Sequence, residues 1–192
     1  MALSKSSVNL LFAVVVAALG AAAASYIYIN FGQPGSQGKA AETQLPENHP
    51  SLDTPGRIAA LQQLSARDPK NPDYPAQIAN LYYDAGQYAQ AVEYYQQSLN
   101  LRPQDPNVET DLATCYHYLG QDDKSLALLD NVLSYNPGFT QAKFNKGIVL
   151  IEGRKDIKGG IAIWEDLLRS DPGYSQRAEL EQRINQLKAS IQ

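Results

Sequence analysis

Apolar and polar positions divide the chain into stretches of different periodicity. The first, Val8 to Phe31, contains no Asp, Glu, Lys or Arg, and Leu10 to Ile29 form a nearly unbroken apolar run. A helix of that length, rising about 1.5 Å per residue, matches the roughly 30 Å of a bilayer's hydrocarbon core. Tyr26, Tyr28 and Phe31 crowd its C-terminal end, where aromatic rings suit the headgroup level. The pattern predicts an N-terminal transmembrane helix, a signal-anchor, within residues 1–31. A cleaved signal peptide stays open as the alternative, since Ala22-Ala23-Ala24 before Ser25 offers a small-residue cleavage site. Lys5 precedes the run and no basic residue follows it until Lys39. The positive-inside bias then puts the N-terminus in the cytoplasm and the rest of the chain outside, as a single-pass membrane protein.

Residues 32–56 have no period. Gly32, Gly35, Gly38, Pro34, Pro46, Pro50 and Pro55 interrupt them, and Leu45 and Leu52 are their only aliphatic residues larger than alanine. Such a segment buries too little apolar surface to order itself and is expected to be a flexible linker. Beyond it the apolar positions return at helical spacing. Ile58, Leu61 and Leu64 predict a capping helix within 57–69, and Leu180, Ile184, Leu187 and Ile191 predict another within 174–192. Between these flanks, prolines recur at Pro69, Pro103, Pro137 and Pro172, at intervals of 34, 34 and 35 residues. A proline supplies no amide proton and holds the residue before it extended, so each one closes a helix. Gly86 and Gly120 fall where an earlier helix must stop, and Asp105 before Pro106 reads as a helix N-cap. The expectation is an all-α fold.

Aligned on those prolines, the units repeat in detail. The first reads Pro75-x2-Ile78-Ala79-x2-Tyr82, Ala91-x3-Tyr95, Pro103. The second reads Glu109-x2-Leu112-Ala113-x2-Tyr116, Ser125-x3-Leu129, Pro137. The third reads Lys143-x2-Lys146-Gly147-x2-Leu150, Gly160-x3-Trp164, Pro172, with one residue inserted between Leu150 and Gly160. Over about 72–172 this resembles the tetratricopeptide-repeat family, whose pattern places small and large residues at these positions and a proline at the end. The sequence departs from that pattern where the first Trp would stand, at Pro75, Glu109 and Lys143, and Lys146 replaces a usual apolar residue.

The resemblance implies a right-handed solenoid of helical hairpins, with repeats at about 72–105, 106–139 and 140–173. It also implies that the first helix of each hairpin lines a concave groove. Carried over position by position, it presents Asn80, Tyr83 and Asp84 from the first repeat and Thr114, His117 and Tyr118 from the second. The third contributes Phe144, Ile148 and Ile151. For Ile148 and Ile151, packing under the C-terminal helix stands beside groove exposure. Some family members clamp a terminal carboxylate with Lys and Asn. Asn80 matches one such position, whereas Ala76, Asp111, Gln141 and Asn145 leave most of the others unmatched, including every basic one.

Composition narrows the function further. A net charge of −4 over 192 residues gives no basic face for nucleic acid. Cys115, the single cysteine, permits no internal disulfide and reads as a small buried hydrophobe. His117 lies two residues beyond it, but zinc would need further ligands in register, so neither metal nor cofactor is expected. No phosphate-cradling glycine motif is present, and His49 lies in the linker. The chain is therefore expected not to be an enzyme and to take no small-molecule substrate. The expected role is a scaffold that binds a protein or peptide at a membrane surface, a layout similar to many small bacterial membrane proteins of this repeat family. Two alternatives stay open. One is an exported maturation chaperone, as in c-type cytochrome assembly. The other is a structural subunit held by its span, whose small residues Gly20 and Ala24 allow close helix approach.

Overall fold

The computed structural model describes residues 53–191. The expected membrane span and most of the expected linker lie outside the described residues. Among those described, no helix is long and apolar enough to cross a membrane.

The described residues form eight α-helices in chain order: α1 Thr54–Arg67, α2 Asp73–Asp84, α3 Tyr88–Leu101, α4 Pro106–Tyr118, α5 Asp122–Tyr135, α6 Thr140–Ile148, α7 Ile157–Ser170 and α8 Arg177–Ser190. A single π-helical turn, Val149–Gly153, extends α6. Helix α1 begins inside the stretch whose composition reads as linker. Asp53 accepts a hydrogen bond from the Gly56 amide at 3.0 Å, and Pro55 occupies the first turn, where its missing amide proton costs nothing.

The local signals explain most boundaries. Asp105 caps α4 by accepting from the amides of Asn107 at 3.1 Å and Val108 at 3.3 Å. Gly86 and Gly120 both stand at φ 70°, in the left-handed region open to glycine, just past α2 and α4. Around them the Gln87 amide donates to the Tyr82 carbonyl and the Gln121 amide to the Tyr116 carbonyl, each at 2.8 Å, completing the same stop motif twice. Pro69, Pro103, Pro137 and Pro172 each lie two residues beyond the end of α1, α3, α5 and α7.

Each helix packs on its successor, and α4 also touches α6 directly, so consecutive hairpins stack. The core is correspondingly serial. Leu61, Tyr74, Ile78 and Leu81 join α1 to α2. Ala79, Ala91, Tyr95, Val108, Leu112 and Cys115 join the first hairpin to the second. Ala113, Leu129, Val132, Ala142 and Val149 join the second to the third. Small residues set the approach within each hairpin. In the third, a methyl on Gly147 would sit 2.7 Å from Cε2 of Trp164, so only glycine lets the fully buried indole lie there.

The third hairpin absorbs its extra residue in the π turn. The Arg154 amide reaches the Val149 carbonyl, five residues back, at 3.0 Å. Lys155, at φ 58°, then occupies the left-handed position that Gly86 and Gly120 hold in the first two hairpins. The unusual residues at the first motif position are all buried, and the charged ones are paired. Glu109 accepts from Nδ2 of Asn131 at 2.8 Å, and Nζ of Lys143 donates to Asp166 at 2.6 Å and Ser170 at 3.0 Å. Buried charge is tolerated only with such partners. The Lys143 ammonium, and then Arg169, hold the Asp166 carboxyl below the usual carboxylate range.

Candidate functional site

Helices α2, α4 and α6 are the first helices of the three hairpins, and polar side chains bridge the latter two. Nδ2 of Asn145 donates to Oγ1 of Thr114 at 3.0 Å, while that hydroxyl donates to the Thr110 carbonyl at 2.9 Å. Nε2 of Gln141 reaches Oδ1 of Asp111 at a long 3.4 Å. Asn80 on α2 is exposed, and its Oδ1 accepts from the buried Tyr95 hydroxyl at 2.7 Å. This fixes the amide's orientation and leaves its NH2 group on the surface.

At the C-terminal ends of α2 and α4 the structure gathers tyrosines. Tyr88 and Tyr118 stack at 4.5 Å with an interplanar angle of 16°. Tyr83 meets Tyr88 edge-on at 5.6 Å and lies 6.3 Å from Tyr118. Tyr118 is 40% exposed, whereas Tyr83 and Tyr88 are half-buried. The neighbouring His117 is held through Nδ1 by Oδ1 of Asp122 at 2.6 Å, and both side chains are mostly covered. Its role in this geometry is to tie the end of α4 to the start of α5.

The electrostatics of this region are acidic. Burial pushes the half-buried Asp111 carboxyl up to about 7, with the charges of Asp105 and Asp84 adding to the effect and the Gln141 hydrogen bond opposing it. Burial, and then Asp111, push the Cys115 thiol up to about 12. Burial, and then Cys115, raise the Tyr88 hydroxyl above its ordinary value. Arg102 takes Asp73 at 2.6 Å and Asp105 at 3.2 Å. Asp84, the last residue of α2, is exposed.

The third hairpin corrects part of the expected groove. Phe144 and Ile151 are buried, at 7% and 9% exposure, and Ile148 is half-buried. Phe144 stacks on Trp164 at 5.8 Å, and its carbonyl accepts from the indole Nε1 at 2.9 Å. The π turn rotates the end of the helix inward, so Ile151 packs on α7, where a methyl on Gly160 would sit 2.7 Å from its Cδ1. Glu152 is taken by Arg183 of α8 at 3.0 Å, and that guanidinium also lies 5.2 Å over the Trp164 ring. Phe144 and Ile151 therefore belong to the core. Of the other expected groove residues, Asn80, Asp84 and Tyr118 are exposed, and Tyr83, Thr114 and His117 are half-buried.

Tyr88 belongs to the same ring cluster, although the groove positions do not include it. Tyr88 comes from a second helix, α3, and its only sequence signal is that it follows the Gly86 stop by two residues. Among the described residues, no three His, Cys, Asp or Glu side chains are grouped to hold a metal.

Stacked antiparallel helix pairs define an all-α repeat array. Comparison with known proteins gives the particular repeat. Residues 82–143 match a family model described as Tetratricopeptide repeat. A relative from Arabidopsis thaliana, Hsp70-Hsp90 organizing protein 3, is 23% identical over 112 residues, which is 58% of this chain and 20% of that protein. Among solved structures, MamA is similar with a TM-score of 0.61 at 18% identity, covering 71% of this chain and 80% of that one. The TPR2B-domain:pHsp70 complex of yeast Sti1 gives 0.57 at 15% identity, covering 62% and 98%. The first TPR of Spaghetti (RPAP3), bound to an HSP90 peptide, gives 0.54 at 18% identity, covering 62% and 94%. The described residues thus have the tetratricopeptide-repeat fold, and the family match supports that repeat over 82–143.

Proposed function

We propose that the repeats form a non-catalytic interaction module that holds an extended segment of a partner protein along the shared side of α2, α4 and α6. The observation that carries this is the set of polar and aromatic side chains those helices present. Asn80, Thr114 and Asn145 are held in place by their own hydrogen bonds, and Tyr83 and Tyr118 by ring packing. Side chains fixed before binding lose little freedom when a partner arrives, and tyrosines give contact area at low entropy cost. One of the similar structures is bound to an HSP90 peptide and another is a complex with pHsp70, which supports the reading. Crosslinking with mass spectrometry in native cells tests it. Partner crosslinks should fall on α2 and α4 and disappear in the Tyr83→Ala/Tyr118→Ala variant while its circular dichroism stays helical. Crosslinks that survive that variant, or that map to α3, α5 and α7, would refute it.

We further propose that the apolar run of Leu10 to Ile29 anchors the chain as a single span, with the N-terminus cytoplasmic and the repeats outside the cell membrane. A short linker would then raise the effective partner concentration into the millimolar range, so that modest affinity suffices. Extraction of the protein from membranes by alkaline carbonate, or repeats sheltered from protease added outside intact cells, would overturn this.

A further inference from the structure

The three hairpins place different side chains at one equivalent point of the first helix. Those residues are Asn80, Thr114 and Ile148, spaced 34 apart, and their counterparts on the second helices are Tyr95, Leu129 and Trp164. In the first hairpin the Tyr95 ring is buried, and its hydroxyl donates to Oδ1 of the exposed Asn80 at 2.7 Å. The torsion that turns an amide is roughly two-fold, so an unheld asparagine would present its oxygen or its NH2 group about equally. With Oδ1 engaged from the core, the NH2 group is the side left for a ligand. In the second hairpin Leu129 has no polar group. There the Thr114 hydroxyl gives its proton to the Thr110 carbonyl at 2.9 Å and accepts from Asn145 at 3.0 Å. In the third, Ile148 is apolar, and Nε1 of Trp164 donates to the Phe144 carbonyl at 2.9 Å. At this repeat position, only the first hairpin holds a donor in a fixed direction.

We propose that Tyr95 is a positioning residue for recognition: its hydroxyl fixes Asn80 as a donor, and the bound segment sets a carbonyl oxygen against that NH2 group at the first hairpin. This rests on the interaction reading above and adds to it the register of the segment. Tyr95 acts through Asn80 and not by contact, because its ring lies in the core with Ala79, Ala91 and Leu112. Its polar role is separable from its packing, since phenylalanine keeps the ring and removes only the hydroxyl. Aspartate at position 80 makes the complementary change. It keeps an oxygen for the Tyr95 proton but offers no N–H to a ligand. The oxygen received is either a backbone carbonyl of the partner or one from a side-chain amide or carboxylate.

Panning a random short-peptide library against the full chain supplies the probe, and calorimetric titration of one enriched peptide reads the variants. Tyr95→Phe should weaken that peptide about two- to tenfold, the cost of ordering a side chain no longer held in place. Asn80→Asp should weaken it at least as much. Tyr95→Phe added to Asn80→Ala should cause no further loss, whereas a merely structural effect of Tyr95 would persist without Asn80. Alanine scanning of the peptide separates the two sources of oxygen: one replacement abolishes the effect of Tyr95→Phe if a side chain supplies it, and none does if the backbone does. Circular dichroism checks the fold, and Asn80→Asp, a change to an exposed side chain, decides the matter if Tyr95→Phe fails to fold. Parent-like binding by Tyr95→Phe or Asn80→Asp, or equal weakening by Tyr95→Phe with and without Asn80, would overturn the positioning role. The interaction reading would stand in those cases if Tyr83→Ala/Tyr118→Ala still abolished binding. Enrichment of no sequence would overturn both.

Discussion

Replacing Gly147 by alanine puts a methyl group where the Trp164 indole already lies, 2.7 Å from Cε2 and closer still to Nε1 and Cδ1. The ring is fully buried between Phe144 and Arg183, so it cannot swing away without losing packing. Overpacking of this kind costs about 1–3 kcal/mol. Moving the indole also breaks its 2.9 Å hydrogen bond to the Phe144 carbonyl, leaving a buried donor unsatisfied for a further ~1–3 kcal/mol. Alanine's better helix propensity returns about 1 kcal/mol. The net expectation is a loss of about 1–5 kcal/mol. Urea unfolding of the full chain, followed by far-ultraviolet circular dichroism, measures it. The second hairpin supplies the control, because there Ala113 stands at the equivalent position and Leu129 replaces the tryptophan. Gly147→Ala combined with Trp164→Leu should therefore cost at least about 1 kcal/mol less than the two changes added separately. Strict additivity, or a Gly147→Ala protein as stable as the parent, would refute the steric reasoning.

Lys155→Gly should stabilise the chain by about 1 kcal/mol in the same assay, because φ 58° is strained for lysine and free for glycine. Asp111 makes stability depend on pH. Its carboxyl titrates near 7 when folded and near the ordinary carboxyl value when unfolded. Between those values the folded chain holds a proton that the unfolded chain has released. Stability from this group therefore falls as pH rises through that window, by at most about 1.4 kcal/mol per pH unit, and Asp111→Asn should flatten that part of the profile. Parallel profiles for parent and variant would count against it. Cys115, buried and with its thiol pushed up to about 12, should resist iodoacetamide at mildly alkaline pH and react once urea unfolds the chain; rapid native labelling would contradict its placement.

Repetition explains why so much of the array was legible. Three copies of one pattern let prolines, stop glycines and small–large pairs be read against each other, and helix ends at Gly86, Gly120 and the four prolines follow from local backbone chemistry alone. What escaped was tertiary. Spacing located one extra residue after Leu150, but it does not reveal that a π turn takes it up, and that turn is what sends Ile151 to the core. The burial of Glu109 and Lys143 depends on Asn131 and Asp166, more than twenty residues away, which no local signal announces. The site was legible only in part for the same reason. Tyr83 and Tyr118 follow from repeat positions, while Tyr88 joins them from a second helix and Phe144 is drawn beneath a tryptophan that the other repeats lack.

The uneven placement of aromatic side chains gives the array two built-in optical reporters. Tyr74, Tyr82, Tyr83, Tyr88, Tyr94, Tyr95, Tyr116 and Tyr118 all belong to the first two hairpins, and the chain's one tryptophan, Trp164, is sealed inside the third. In a stack whose units touch only their neighbours, the two ends are free to melt at different points. Phenol and indole emission, recorded from one sample without any label, therefore distinguish fraying that starts at one end from fraying that starts at the other.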